Sequence, residues 1–157
     1  MRPEGPTHWR CLPFDALSAR TLYRLLQLRS QVFVVEQNCV FQDMDSADPQ
    51  CMHVLAEAHT PEGMELMAYA RLAPAGLHFP EASIGRVVTN PATRGSGIGH
   101  ALIRQSVQML HGLWGVQPIR IGAQAHLQNF YGQHGFAPDG PMYLEDGIDH
   151  IEMVRPA

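Results

Sequence analysis

The chain has 157 residues, 45% of them hydrophobic, which is enough to bury one core and too few for two full ones. Its formal charge is −4, and all 11 basic residues are arginines scattered along the chain, so the basic stripe that a nucleic-acid backbone requires is missing. No apolar run approaches the roughly 20 residues of a membrane span, and Met1-Arg2-Pro3-Glu4-Gly5 opens no secretory signal, so the expectation is one cytoplasmic domain over residues 1–157 without a membrane or nucleic-acid partner.

The charge is unevenly distributed. Between Glu81 and Asp139 there is no acidic residue, yet Arg86, Arg94, Arg104 and Arg120 fall there, while the rest of the chain sets 7 arginines against 15 acids. An anionic ligand is expected on this central part, and a neutral or cationic one near the acidic remainder. The three cysteines, Cys11, Cys39 and Cys51, follow no metal-binding or disulfide spacing and read as buried thiols.

In chain order, Thr7 to Leu12 fits a short strand closed by Pro13. A helix then starts from Asp15 or Ser18, both good N-caps, with Leu22, Leu25, Leu26, Arg29 and Val32 or Phe33 on one face. From Glu36 to Gln50 the pattern breaks. Asp43, Asp45 and Asp48 there do not meet the calcium-loop pattern, since Asp48 and Val54 stand where glycine and glutamate would be needed. The segment reads either as a solvated acidic loop or as a wall that draws a cationic acceptor.

Met52–Ala58 and Glu65–Leu72, joined by Thr60-Pro61-Glu62-Gly63, read as a β-hairpin, and Ser83–Thr89 follows as a further antiparallel strand. The helix after Gly97 shows Ile98, Ala101, Leu102, Met109 and Leu113 on one side and frays at Gly112 or Gly115. Pro118–His126 returns as a strand, so strand, helix and strand form a crossover with a parallel pair. A short helix, Leu127 to His134, ends at Gly135, and Met142–Leu144, a Glu145-Asp146-Gly147 turn and Asp149–Val154 make a terminal hairpin. The sum is an α+β fold with one mixed, mostly antiparallel sheet flanked by helices.

The glycine-rich turn Arg94-Gly95-Ser96-Gly97-Ile98-Gly99 lies between a strand and a helix, where free backbone N–H groups and the helix dipole suit a phosphate. A P-loop is excluded because the chain has no lysine. A dinucleotide fingerprint fails too, since no acid follows before Asp139. What does fit is R-x-x-G-x-G at Arg94, Gly97 and Gly99.

That motif resembles the acetyl-coenzyme A pyrophosphate loop of the GNAT family, the Gcn5-related N-acetyltransferases. Val34-Val35-Glu36-Gln37, Asp43-x-Asp45, Ala123-Gln124-Ala125-His126, Asn129-Phe130-Tyr131-Gly132, Gly135-Phe136 and Glu145-Asp146-Gly147-Ile148-x-His150 resemble its ElaA-like branch, so the likeness runs through most of the chain. The resemblance implies the acyl-CoA N-acyltransferase fold and acetyl-CoA as acyl-donor substrate, with Gly95, Ser96, Gly97, Ile98 and Gly99 approaching the pyrophosphate beside Arg94. It also implies that Val87, Val88 and Thr89 pair with the pantetheine arm, that the Val88 N–H faces the thioester oxygen, that Asn129 holds the cofactor arm, and that Tyr131 stands near the sulfur as general acid. Homodimers are common in that family.

Family members that use a strand glutamate as base have no counterpart here, because Ser83 to Thr89 carries no acid. Glu36, His53, His126 and His150 remain, with His126 and Glu36 ranked first. The histidines show no metal-ligand spacing, so no metal is expected. The function these observations imply is direct acetyl transfer from the thioester to a primary amine, on a small molecule or a peptide. A non-catalytic acyl-CoA sensor is the alternative.

Overall fold

Apolar runs, nearly continuous in the two central strands, build an antiparallel meander in the first half of the chain: β1 (Glu4–Pro13), β2 (Met52–Thr60), β3 (Gly63–Ala73) and β4 (Ser83–Thr89) lie side by side in that order. This computed structural model describes residues 3–157; Met1 and Arg2, part of the segment read above as carrying no signal, lie outside them. A second antiparallel sheet is centred on β8 (Ile148–Arg155). It carries β5 (Ile119–Gln124) on one edge and β6 (Ala137–Pro138) and β7 (Tyr143–Glu145) on the other.

The expected α+β fold is present, but its sheet is divided into two. β4 and β5 meet through one parallel bridge, Ala82 to Ile119, where the Arg120 N–H donates to the Ala82 carbonyl at 2.9 Å. The strand–helix–strand unit therefore keeps its parallel sense in a single bridge instead of a ladder. Beyond that bridge the facing edges of β4 and β5 part and line a common cavity.

Two apolar layers cover the first sheet. α2 (Ile98–Trp114) packs Leu102, Ile103, Val107 and Leu110 onto Val54, Ala56, Ala68, Ala70, Leu72 and Ile84, and onto Ile119, Ile121 and Met153 of the second sheet. The alanines on β2 and β3 leave room for the helix to approach. Its buried face departs from the one expected: Leu113 is 43% exposed, and Ile103, Ser106 and Val107 take the inward positions because the helix must cover both sheets at once.

On the opposite face α1 (Ala19–Arg29), capped by Ser18 accepting from the Thr21 N–H, packs Leu25 and Leu28 against Leu55, Leu66, Tyr69 and Val88. It runs into a π-helical turn, Ser30–Glu36, which buries Val32. A short helix α3 (Gln128–Gly132) follows β5 after a 3₁₀ turn at Ala125–Leu127, so His126 sits just beyond the strand that was expected to contain it.

The acidic segment after α1 is neither solvated nor a free wall. Arg29, with no solvent exposure, donates from Nε to Asp43 Oδ2 and from Nη1 to Asp48 Oδ1, each at 2.8 Å. Arg71 donates to both oxygens of Asp45 at 2.8 Å and to Asp48 Oδ1 at 3.0 Å. Arg86 donates from Nε to Asp43 Oδ1 at 2.8 Å. Three arginines thus alternate with three aspartates, and the charges cancel.

His53 closes the inner end of this network. Its Nε2 donates to the Asp48 carbonyl at 3.0 Å, so Nδ1 accepts from the Tyr69 hydroxyl at 2.6 Å. Burial lowers the His53 pKa, and with no solvent exposure, both nitrogens bonded and no place in the lining of the cavity between the sheets, His53 drops out of the candidate bases.

Hydrogen bonds from Arg71 hold the Asp45 carboxyl well below its ordinary range. Burial alone would raise Asp48, but hydrogen bonds from Arg29 and Arg71 outweigh it and leave that carboxyl depressed too. Because the folded pKa values lie below the unfolded value of about 3.9, this contribution is complete above that pH and drains away as pH falls toward the folded values. Urea melts should therefore show stability falling as pH drops below about 4. Asp48→Asn, which leaves Arg29 and Arg71 underpaired, should cost about 3–5 kcal/mol at pH 7 in the same assay.

Candidate active site

The turn after β4 is shaped by its own side chains. Asn90 Oδ1 accepts from the Ala92 N–H at 3.0 Å, and Thr93 Oγ1 donates to the Asn90 carbonyl at 2.7 Å. Gly95 and Gly97 then take φ of +84° and +83°, a conformation that glycine adopts without steric cost. α2 starts at Gly97 with no side-chain cap and no acid in its first turn, so its leading N–H groups and the positive end of its dipole face outward. Ser96 Oγ is turned back onto the Thr93 carbonyl, so the turn presents main chain and not this hydroxyl.

A cavity of about 600 Å³ fills the parting between the sheets. Val87, Val88, Thr89 and Arg94 form one wall; Gly122, Gln124, His126 and Tyr131 form the other, and Glu145, Asp146 and His150 line it as well. Glu36 and Gln37 cross over it: Arg94 Nη1 meets Glu36 Oε1 at 2.6 Å, and Gln124 Nε2 donates to Gln37 Oε1 at 3.2 Å. The Arg94–Glu36 pair is nearly half exposed on both sides, the class of contact worth roughly 0.2–1 kcal/mol, and a multiply charged anion can displace it.

A second hollow of about 540 Å³ lies on the other side of the loop, lined by Ser96, Gly97, Ile98, Arg94 and Arg104. Gly95 is exposed at the loop tip, and Gly99 packs toward the Phe130 ring. Asn129 is exposed on α3, whereas Tyr131, two residues on, lines the first cavity.

Tyr131 is 7% exposed, and burial pushes its phenol up to about 12, so it is protonated at neutral pH. His126 is exposed and makes no side-chain hydrogen bond among the described residues. Glu36 is engaged by Arg94.

His150 is held by its own strand. It lies across from Gln124 on β8, and its Nδ1 donates to the Ile148 carbonyl at 2.8 Å. In the neutral ring that bond leaves the lone pair on Nε2, with Glu145 Oε2 at 3.6 Å. The Tyr143 ring stacks on His150 at 5.8 Å. Cys39 is buried, with its Sγ donating to the Asp146 carbonyl at 3.3 Å.

The chain matches the acetyltransferase (GNAT) domain model over residues 36–156. It belongs to the GNAT family. It is 43% identical to the protein ElaA of Escherichia coli K12, across 94% of this chain and 95% of that one. A UPF0039 protein of Synechocystis is 37% identical, with 94% of each covered. Among solved structures, an acyl-CoA N-acyltransferase from Pseudomonas aeruginosa superposes with a TM-score of 0.88 at 42% identity, covering 96% of this chain and 99% of that one. E. coli ElaA superposes with a TM-score of 0.86 at 41% identity and the same coverage.

Within this GNAT domain the acid-free window contributes less free charge than its composition implied. Arg86 is paired to Asp43 and Asp45, and Arg120 to Glu81, Asp139 and Glu152. Of the other two, Arg94 carries only its exposed pair with Glu36, and Arg104 has no ion pair among the described residues. His150 stands behind His126 and Glu36 in the ranking from sequence, where residue identities alone do not show the hydrogen bond from its Nδ1 to the Ile148 carbonyl. It also gave Arg86 no role of its own, although a charged residue inside an apolar strand was a visible signal.

Gly122 allows the Tyr143–His150 stack to form, since a Cβ there would stand 2.9 Å from the Tyr143 hydroxyl. Gly122→Ala should displace the Tyr143 ring from His150 with little change in melting temperature, because only a side-chain tip has to move. A crystal structure and a thermal melt of the variant check this.

Proposed function

We propose that this GNAT domain, acting over residues 1–157 as one catalytic unit, transfers an acetyl group directly from acetyl-CoA to a primary amine. One observation carries the reading: a single cavity joins Arg94, the edge of β4, and the side chains of Tyr131 and His150, and Arg94 also borders the hollow lined by Ser96, Gly97 and Ile98 at the uncapped start of α2. The donor's pyrophosphate binds at Gly95–Gly99 and takes Arg94 from Glu36. Its amide-bearing arm lies along Val87–Thr89 as an added strand, with Asn129 closing over it.

The chemistry then needs an acid, a base and an oxyanion donor. His150 Nε2 takes a proton from the ammonium form of the acceptor, and Glu145 stabilises the imidazolium. The neutral amine attacks the thioester carbon and forms the C–N bond, while negative charge on the carbonyl oxygen is met by an N–H at the cleft edge of β4; the expected Val88 N–H is not that group, because the Asn90–Met67 hydrogen bond sets a register in which Val88 bonds Tyr69. Collapse breaks the C–S bond, and the leaving thiolate takes the Tyr131 proton. The second nitrogen proton returns to the phenol through solvent, leaving an acetamide and free coenzyme A.

His126 and Glu36 line the same cavity and serve as acceptor-side groups, Glu36 once Arg94 has turned to the pyrophosphate. Glu145 and Asp146, exposed at the mouth, favour a cationic amine over an anionic one.

Gly97→Glu should abolish acetyl-CoA binding by titration calorimetry, because the position needs φ near +83° and the new carboxylate opposes the pyrophosphate; unchanged affinity rejects the loop assignment. Tyr131→Phe and His150→Gln should each lower kcat by about 10²-fold or more while donor affinity is kept. Coenzyme A release over a panel of primary amines separates the enzyme from an acyl-CoA sensor, which would release none above background.

A further inference from the structure

β4 contains one residue more than its partner can match. Tyr69 pairs with Val88 and Arg71 with Gly85, so Ala70 alone stands opposite both Arg86 and Val87. This two-against-one count is a β-bulge. Arg86 sits in it at φ +50°, a left-handed conformation that costs an L-residue energy and that bulges of this kind usually assign to glycine.

The bulge changes which way the strand faces. Ile84 and Val87, three residues apart, both pack on the α2 side, while Val88 packs on the α1 side. In an unbulged strand, residues three apart face opposite ways. The extra residue therefore sets the orientation of the backbone from Val87 to Thr89.

What offsets the strain is the arginine's own side chain. Its Nε donates to Asp43 Oδ1 at 2.8 Å, and Nη2 donates to the Asp43 carbonyl at 2.9 Å and to Asp45 Oδ2 at 3.3 Å. The guanidinium lies 5.8 Å over the Phe41 ring. Asp43 is 8% exposed, is held from its other oxygen by Arg29, and does not line the cleft.

We propose that Arg86, gripped by Asp43, is a positioning residue for the acyl donor: the ion pair locks the β4 bulge in the register that presents the Val87–Thr89 backbone to the cleft. The guanidinium acts through the main chain and does not need to touch the donor. The proposal rests on β4 being the strand that binds the donor's amide-bearing arm.

Glycine separates the two roles, because Arg86→Gly and Arg86→Ala remove the same guanidinium while only glycine accepts φ +50° without strain. Arg86→Ala should raise the Kd for acetyl-CoA about tenfold. Arg86→Gly should stay within about threefold of the parent protein. Equal losses in both variants would overturn the proposal in favour of direct contact with the donor, and no loss in either would overturn it outright.

Asp43→Asn should weaken donor binding in the parent background and add little in the Arg86→Ala background; additive effects count against the coupling. Crystal structures of the unliganded alanine variant read the bulge without any donor. Residue 86 leaving the left-handed region, with the Tyr69–Val88 pairing shifted, supports the proposal, and an unchanged bulge refutes it. Failure of the parent protein to bind acetyl-CoA would refute the reading of the cleft instead, whatever the alanine structure shows.

Discussion

Arg29, Arg71 and Arg86 each come from a different element of secondary structure, and Asp43, Asp45 and Asp48 come from the one irregular segment that passes between them. A fully buried guanidinium is tolerated only if its donors are met by carboxylates in good geometry, because unpaired desolvation costs several kcal/mol. The demand is mutual. The segment after α1 has almost no regular structure, and these charge-assisted hydrogen bonds take the place of a ladder in fixing its path. Through Arg29 it is fixed to α1, through Arg71 to the centre of the first sheet, and through Arg86 to the strand that borders the cleft.

The cleft itself is a consequence of sheet geometry. β4 and β5 would make an ordinary parallel pair if both stayed in register. β4 instead carries an extra residue at Arg86, and the pairing stops after the Ala82–Ile119 bridge. Strand edges that part inside a protein leave backbone groups without partners, which is costly unless water or a ligand satisfies them. An extended, amide-rich molecule has the complementary groups. The family's acyl donor is such a molecule, and in the function proposed above its charge falls at the uncapped start of α2, after the end of the same strand.

The contrast between Tyr131 and His150 shows how environment divides chemical roles. Tyr131 is enclosed by apolar neighbours, including the edge-on rings of Phe130 and Phe136, so its phenol keeps its proton. His150 has one nitrogen committed to a carbonyl and the other open toward the cavity beside Glu145. The phenol and the imidazole border the same cavity, the arrangement on which their proposed roles rest.

Local patterns were enough to place most elements, the glycine loop and the family, because helix periodicity, strand alternation and the R-x-x-G-x-G spacing are each contained within a few neighbouring residues. Arg29 appeared on the apolar face of its helix, a hint of buried charge, but its partners are 14 and 19 residues away and no local rule pairs them. The acidic segment looked solvated for the same reason. The divided sheet and the inward turn of α2 toward Ile103 and Val107 depend on contacts between elements distant in sequence. By itself the sequence determined the glycine turn, since backbone conformation at Gly95 and Gly97 is a local property. Only the tertiary structure decided which charges are spent on folding and which face the cleft, because desolvation and pairing act through space and not along the chain.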